Sequence, residues 1–215
     1  MKEKIILFTR VPKEGTTKTR LYDFMSPTEA VNIQKKLLKK NYDLLAETNR
    51  ELLVCHDGNS SDDKEMAELI SCDKFYYQKG DNLGDKMYNA LEEVISDSKV
   101  ILLGSDIFNL DKDIIEEAFE KLETHDIVIN PSEDGGYFLI GMKKAIKEVF
   151  DLPSYGDSSV LENLIKVLEK NNLTYYLGRA ALDIDIKEDL LYAETGYKNI
   201  KLLGAGEYNI NFTFD

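Results

Sequence analysis

Short apolar runs recur along the chain, and longer stretches with helically spaced apolar residues separate most of them. The runs are rich in Val, Ile and Leu, a composition typical of buried parallel strands. Strands that alternate with helices indicate an α/β fold whose sheet is largely parallel and joined by right-handed crossovers. The predicted strands cover residues 4–9, 51–55, 74–78, 99–103 and 126–130.

One strand-like run does not fit a uniformly parallel sheet. Residues 136–141 follow the predicted strand at 126–130 after only a short loop. A parallel crossover needs about a dozen residues or more, so this strand must run antiparallel or leave the main sheet. We therefore expect a mixed, mainly parallel sheet, with a late strand at 173–177.

Helices are predicted between the strands, where apolar positions share one face. The longest follows Ser26, a suitable N-cap, and has Pro27 in its first turn. The predicted helices cover residues 27–47, 62–70, 84–95, 111–123, 143–150 and 160–170, and a last one begins at 186.

Composition and charge limit the classes of function. The chain has 215 residues, a formal net charge of −13 and only two cysteines. Such an acidic chain is a poor general binder of nucleic acid, which requires a basic face. The two cysteines lack metal-type spacing, and no apolar run has the length of a signal segment or a membrane span. We expect a cytoplasmic protein with reduced thiols.

The chain is expected to form a single domain over residues 1–215. We find no internal repeat, low-complexity tract or convincing linker. Residues 197–215, rich in Asn, Gly and aromatic residues, read as a C-terminal extension. This extension is a candidate edge hairpin or a candidate contact in a homodimer.

A basic loop follows the first predicted strand. Pro12 and Gly15 exclude regular structure in it, and glycine allows close approach of the backbone to a ligand. The loop is not a Walker A motif, because two threonines separate Gly15 from Lys18. The pattern indicates either a site for a di- or triphosphate or a solvated basic loop. Its cations are Arg10, Lys13, Lys18 and Arg20, against the single acid Glu14.

A second loop rich in glycine lies between the third predicted strand and the next helix. Gly80 and Gly84 in this loop are candidate contacts to a nucleotide. An ordinary strand-to-helix turn has much the same sequence, so both interpretations stay open here.

Carboxylates follow two of the predicted parallel strands. Asp106 comes after the strand at 99–103, and Asp134 comes after the strand at 126–130. The carboxyl ends of parallel strands share one sheet edge, so both acids can converge on the basic loop. Asp183 and Asp185 fall on one face of a later extended segment, and Asp185 is a further site candidate. An aspartate after a strand can also be a simple turn residue.

Oxygen ligands beside a phosphate-binding loop favour Mg²⁺ or Mn²⁺ over zinc. With two histidines, neither in a nucleophile-type setting, the sequence offers little for covalent catalysis. From the residues alone, we expect a metal-assisted transferase that acts on a nucleoside di- or triphosphate.

The ordered motifs resemble bacterial MobA-like, or radical-SAM/selenodomain-associated, transferases, and the resemblance covers residues 4–191. Two departures bear on the pocket: Phe108 and Glu14 stand where the family often has proline. The matching segments are Phe8-Thr-Arg-Val-Pro12, Gly15-Thr-Thr-Lys18-Thr-Arg20-Leu21, Gln78-Lys-Gly80 with Leu83-Gly84, Gly104-Ser-Asp106, Asp134-Gly-Gly-Tyr137 and Asp183-Ile-Asp185.

The resemblance implies a three-layer α/β/α, Rossmann-like fold of the nucleotide-diphospho-sugar transferase (glycosyltransferase-A) type. It implies that Lys18 and Arg20 hold phosphates, with Pro12, Gly15, Gly80 and Gly84 in the nucleotide-binding loops. Asp106, with Asp185, would hold Mg²⁺ or Mn²⁺, and Asp134 would lie by the reacting centre as the catalytic residue.

Proteins of this fold catalyse two kinds of transfer reaction, so the fold alone does not determine the reaction. We expect a metal-dependent glycosyltransferase that moves a sugar from a nucleotide-diphospho-sugar to a small-molecule acceptor, with Asp134 as base. The alternative is a nucleotidyltransferase that joins a nucleoside monophosphate from a nucleoside triphosphate to a phosphorylated small molecule. A second alternative, a non-catalytic nucleotide-binding protein, is disfavoured because Asp106 is retained.

Overall fold

A computed structural model of the chain describes residues 1–195. It contains a seven-stranded sheet in the order β3-β2-β1-β4-β6-β5-β7. The strands are β1 (Lys2–Thr9), β2 (Glu51–His56), β3 (Phe75–Tyr77), β4 (Ser98–Gly104), β5 (Ile127–Pro131), β6 (Tyr137–Met142) and β7 (Tyr175–Leu177).

Strand β6 is the antiparallel member of the sheet. It pairs with β4 on one side and with β5 on the other, both in antiparallel register. The remaining neighbours, β1 with β2 and β4, β2 with β3, and β5 with β7, are parallel. The prediction of a mixed, mainly parallel sheet with an antiparallel strand after residue 136 is confirmed.

Helices cover both faces of this sheet. One face packs against α1 (Pro27–Ala46), α2 (Asp63–Ile70) and α4 (Lys112–Lys121), and the other against α3 (Leu83–Val94) and α5 (Val160–Lys170). Alternate residues of β1 show the division, since Ile5 and Leu7 join the first core and Ile6 joins the second. This is the three-layer arrangement that the sequence predicts.

The helix starts carry the local signals expected of them. Ser26 caps α1 in a reciprocal capping box with Glu29, and Pro27 occupies the first turn. The side chains of Asn82 and Asp111 accept amide hydrogen bonds at the starts of α3 and α4. A last helix, α6, spans Lys187–Thr195.

The helix predicted over residues 143–150 is wrong in extent. Only Lys147–Phe150 is helical, as a single 3₁₀ turn. Residues 143–146 are not helical, and Ile146, directly before the turn, has an extended backbone with φ −123° and ψ 108°. At the other end of the turn, the Phe150 carbonyl accepts a hydrogen bond from the Tyr155 hydroxyl at 3.0 Å.

The predicted extension at 197–215 lies outside the described residues, so the single domain over 1–215 and the homodimer contact stay predictions. Within residues 1–195, no helix combines the length and apolar character needed to cross a bilayer. The cytoplasmic location also stays a prediction.

Candidate functional site

A cavity of about 710 Å³ opens where the parallel strands end. The topology brings the basic loop, Asp106 and Asp134 to its wall, as expected for one edge of a parallel sheet. The lining residues at or beyond the strand ends are Thr9 at the end of β1 and Arg10 after it, Asp57 after β2, Gln78 after β3, Ser105 and Asp106 after β4, and Asp134 in the loop after β5.

The basic loop reaches the cavity through residues 16–20. Its turn is held from within, because the Thr17 hydroxyl accepts the Lys13 amide at 2.9 Å. The Gly15 amide donates to the Tyr22 hydroxyl at 2.8 Å. Lys18 adopts a left-handed backbone with φ 49° and begins a 3₁₀ turn over Thr19–Leu21. This unusual conformation for a residue with a side chain turns Lys18 away from solvent.

Lys18 and Asp106 form an ion pair at the cavity wall. Lys18 Nζ donates to Asp106 Oδ2 at 3.0 Å, and the lysine side chain is only 4% exposed while that of Asp106 is 35% exposed. Desolvation opposes ionisation of Asp106, but the Lys18 ammonium outweighs it, so the pKa of Asp106 lies below its usual value. Asp106 is therefore ionised at neutral pH.

A late segment, residues 178–185, brings further acids to this edge. It runs between the ends of β4 and β5, and its Ala181 amide donates to Pro131 O at 3.1 Å. On the other side, the Phe108 amide donates to Leu182 O at 2.8 Å and the Ile184 amide donates to Asp106 O at 3.2 Å. Asp183 forms a bridge opposite Ile107, directly beside Asp106.

Asp183, which the sequence reasoning did not select, does not line the cavity itself but lies beside Asp106, opposite Ile107. Burial, followed by the charges of Asp106 and Asp134, raises the pKa of Asp183 to about 7. The negative charges of Asp106 and Asp134 thus act on Asp183. The available signal was the alternation of Asp183 and Asp185, but spacing alone did not tell which acid faces Asp106.

Asp185, the predicted metal ligand, lines the same cavity but has a different partner. Its Oδ2 accepts a hydrogen bond from Arg20 Nη1 at 2.7 Å. Both side chains are substantially exposed, at 63% for Arg20 and 40% for Asp185. A role for Asp185 in metal binding stays a prediction.

Asp134 lines the cavity from the loop after β5. Its Oδ1 accepts the Ser132 hydroxyl at 2.5 Å and the Gly136 amide at 3.0 Å. These two bonds fix the loop as a turn around the carboxylate. The residue is both a turn aspartate and a cavity residue, and its catalytic role stays a prediction.

Four residues predicted to bind the nucleotide do not line this cavity: Pro12, Gly15, Gly80 and Gly84. A Cβ on Gly84 would lie 2.2 Å from Phe150 O, and one on Gly80, whose φ is +139°, would meet the backbone of Asp85 and Lys86 at 2.9 Å. The structure therefore gives the two glycines of the 78–84 loop a packing reason. Contact of these four residues with a nucleotide stays a prediction.

The carboxylate oxygens at the site are ligands of the kind that a hard cation prefers. Among the described residues, no cluster of three or more His, Cys, Asp or Glu side chains is arranged to hold a metal ion. The oxygen atoms of Asp106 and Asp183 nevertheless match the preference of Mg²⁺ and Mn²⁺. A divalent cation would also counter the burial and the negative charges that together raise the pKa of Asp183.

Comparisons with known proteins identify the family of the chain. A model of the family described as "Uncharacterized protein conserved in bacteria (DUF2064)" matches residues 40–157. The chain belongs to the DUF2064 family. This DUF2064 chain is also 30% identical over 200 residues to 2-phospho-L-lactate guanylyltransferase of Methanocaldococcus jannaschii, covering 88% of this chain and 81% of that protein. The protein of the same name from Methanobrevibacter smithii is 29% identical over 186 residues, which are 84% of this chain and 79% of that one.

Solved structures support the fold. A Desulfovibrio desulfuricans protein, described provisionally as a nucleotide-diphospho-sugar transferase, aligns with a TM-score of 0.84 and 27% identity, covering 94% of this chain and 90% of that one. A 4-diphosphocytidyl-2C-methyl-D-erythritol synthase from Anaerococcus prevotii aligns with a TM-score of 0.57 and 11% identity, covering 89% of this chain and 94% of that one. The expected α/β fold of the nucleotide-diphospho-sugar transferase type is confirmed.

The preferred function, glycosyl transfer, is wrong. The curated relatives of this DUF2064 chain are named guanylyltransferases, and a guanylyltransferase is a nucleotidyltransferase. The expectation of a transferase is confirmed, and the stated alternative agrees with the relatives. Membership of the MobA-like or radical-SAM-associated group stays a prediction, because the family model that matches is DUF2064.

Proposed function

We propose that this protein is a metal-dependent guanylyltransferase that joins GMP, taken from GTP, to a small phosphorylated acid and releases pyrophosphate. The observation that carries the proposal is the Lys18–Asp106 pair at the cavity wall, in a chain that is 30% identical to 2-phospho-L-lactate guanylyltransferase over 88% of its length. The pair puts a phosphate-binding cation next to a metal-binding carboxylate.

The reaction makes one bond and breaks one bond. A phosphate oxygen of the acceptor attacks the α-phosphorus of GTP, and the bond from that phosphorus to the bridging β-oxygen breaks. The acceptor phosphate is already largely ionised near neutral pH, since its second pKa is about 6. No proton must be removed from it, so Asp134 is not required as a base. Asp134 is then available to position the acceptor or the metal.

Two ion pairs of the site are formed before the nucleotide binds. Lys18 holds Asp106 and Arg20 holds Asp185. When the triphosphate enters with its cation, the two basic side chains turn to the phosphate oxygens. They stabilise the charge that develops on the departing pyrophosphate. Asp106 and Asp185 would then be able to hold the cation.

Mg²⁺ or Mn²⁺ would be held by Asp106 and Asp183, with Asp185 as a further candidate. When bound, the cation would neutralise the triphosphate and polarise the α-phosphoryl group. Asp183 lies next to Asp106 across the bridge to Ile107, and burial with the nearby negative charges raises its pKa, an effect that a bound cation would oppose.

A thermal-shift series in Mg²⁺ tests the nucleotide. We expect GTP to stabilise the protein more than ATP, CTP or UTP, and more than GDP- or UDP-sugars. Pyrophosphate release is then measured with GTP and 2-phospho-L-lactate, and with other small phosphorylated acids in place of the lactate. The Asp106→Asn variant, which keeps the shape but loses the charge, is expected to lose both metal dependence and pyrophosphate release.

The possible results separate the candidate reactions. Pyrophosphate formed in equal amount to the GTP consumed, and only with an acceptor present, supports guanylyl transfer. Stabilisation by a different nucleoside triphosphate, with pyrophosphate release, would contradict the choice of base and keep nucleotidyl transfer. Binding of GTP with no product from any acceptor would instead support a non-catalytic nucleotide-binding protein.

A further inference from the structure

Helix α1 contacts the chain on both sides of Asp106 through a single side chain. Asn41 is fully buried on the face of α1 that packs against the sheet. Its Nδ2 group donates to Ser105 O at 3.0 Å and to Ile107 O at 2.9 Å. These two carbonyls immediately precede and follow Asp106. One amide thus fixes the backbone from which the Asp106 carboxylate projects.

A second side chain of α1 supports the same segment. Gln34 lies seven residues before Asn41, on the same face after two helical turns. Its Nε2 donates to Ser105 Oγ at 3.0 Å, and Ser105 Oγ lies 2.7 Å from Thr9 Oγ1. Since Thr9 Oγ1 donates to the Arg10 carbonyl, the bond from Ser105 to Thr9 has Ser105 as donor. This chain of bonds ties the end of β4 to the end of β1.

The amide of Asn41 is costly for a helix core. Its Oδ1 is buried and has no hydrogen-bond partner among the described residues. An acceptor buried in this way destabilises the folded state, and a leucine like its neighbours Leu37, Leu38 and Leu45 would not carry that cost. In return, the amide donates two hydrogen bonds that an apolar side chain cannot make.

We propose that Asn41 is a positioning residue that orients Asp106 toward the cation of the bound nucleotide, with Gln34 in support. The inference rests on the proposed function, because it assigns Asp106 to the cation. Replacing a side chain that orients a metal ligand commonly weakens metal binding by about 10–100-fold. Asn41 acts here through the backbone of residues 105–107 rather than through the carboxylate itself.

The test replaces the amide and compares the result with loss of packing on the same helix. Asn41→Leu removes both donors and keeps the number of side-chain heavy atoms, and Asn41→Ala removes them without adding bulk. Leu45→Ala is the matched control, because Leu45 is fully buried one turn further along α1 and is in the same core. It loosens the helix and leaves the carbonyl contacts in place.

The first measurement is a Mn²⁺ titration by electron paramagnetic resonance with GTP present. We expect both Asn41 variants to bind Mn²⁺ about tenfold more weakly than the wild type, and Leu45→Ala to stay within about twofold. GTP affinity in EDTA should change by less than about twofold in all three, since the phosphate-binding side chains are untouched. Equal losses in the Asn41 variants and the control, or no loss in either, would overturn the inference.

The second measurement is independent of any ligand. Hydrogen exchange of the Phe108 and Ile184 amides reports the bonds that join residues 106–108 to 182–184. We expect these amides to exchange about tenfold faster in Asn41→Leu than in Leu45→Ala of similar stability. If the wild type binds no cation with GTP, the proposed function fails. The hydrogen exchange of the two amides then still tests whether Asn41 positions this segment. Unchanged exchange at both amides would show that Asn41 does not hold this segment.

Discussion

Lys18 Nζ lies 3.0 Å from Asp106 Oδ2, although 88 positions separate the two residues in the sequence. Each group is the other's counter-ion in a site where charges are partly removed from water. In the proposed reaction, a nucleotide with its cation would supply one partner for each, so the exchange would conserve the number of ion pairs. A buried charge left alone would be strongly destabilising, and this arrangement avoids that state before and after binding.

Replacing Lys18 should separate phosphate binding from base binding. Lys18→Met keeps the length of the side chain and removes its charge. We expect GTP affinity to fall roughly 30–100-fold, because a charge-assisted contact to a phosphate is lost. Guanosine affinity should change little, and calorimetry with both ligands measures the difference. Lys35→Met, which removes a surface pair with Glu65, serves as control. An equal loss for GTP and guanosine would contradict phosphate contact by Lys18.

Arg20 should matter for activity and hardly at all for stability. Its pair with Asp185 is exposed at both ends, and exposed pairs typically contribute about 0–1 kcal/mol. Arg20→Gln should therefore unfold in urea within about 1 kcal/mol of the wild type. Its kcat for pyrophosphate release should fall about 10–100-fold, because a cation at the leaving group is lost. A loss of stability with unchanged turnover would assign Arg20 a purely structural role.

Asp183 should make the protein less stable as the pH rises. Its pKa is about 7 in the folded protein, above the ordinary value of an unfolded aspartate. Between these two values the folded state binds more protons than the unfolded state, so stability falls with increasing pH. Below the pKa of the unfolded aspartate, Asp183 is protonated in both states and no longer affects the free energy of unfolding.

The Asp183→Asn variant should remove this pH dependence. Urea unfolding at pH 8 without divalent ions should show the variant more stable than the wild type by about 1–2 kcal/mol, which allows for joint titration of the neighbouring carboxylates. At pH 4 the two should be nearly equal. Asp43→Asn, which removes an exposed acid paired with Lys39, should show no such crossover. A variant that is less stable than the wild type at pH 8 would contradict the assignment.

Gly84 should be required for packing at the start of α3. In Gly84→Ala the new methyl group would lie 2.2 Å from Phe150 O, so backbone must move. We expect a loss of about 1–3 kcal/mol in the free energy of unfolding, as for other overpacked sites. Leu83→Ala, at an exposed neighbouring position, should cost less. GTP affinity of folded Gly84→Ala should stay near that of the wild type, and a selective loss of affinity would instead support phosphate contact.

The sheet could be predicted because its signals are local. Strand β6 illustrates this, since the short distance from β5 excludes a parallel crossover. The convergence of the basic loop with Asp106 followed from topology alone. The direction of the side chains in residues 178–185 did not follow from the sequence. It depends on the hydrogen bonds of the Phe108 and Ile184 amides, which join this segment to residues 106–108.

The glycines show a second limit of sequence reasoning. A glycine required for close packing and a glycine required for ligand approach look the same in one sequence, and only the Phe150 carbonyl reveals the first reason at Gly84. The reaction was mispredicted for a related cause. Glycosyl and nucleotidyl transfer both need a cationic loop such as that of Lys18 and an acid such as Asp106, so the residues could not distinguish them.

The course of residues 178–185 has a consequence for synthesis of the protein on the ribosome. Strands β1 to β6 and the Lys18–Asp106 pair are encoded upstream, but Asp183 and Asp185 are added only after about five-sixths of the chain has been made. A nascent chain can thus build most of its sheet before Asp185 completes the cavity wall. On the proposed function, in which the late acids help to hold the cation, a ribosome-bound or prematurely terminated product that has folded its sheet should remain catalytically silent.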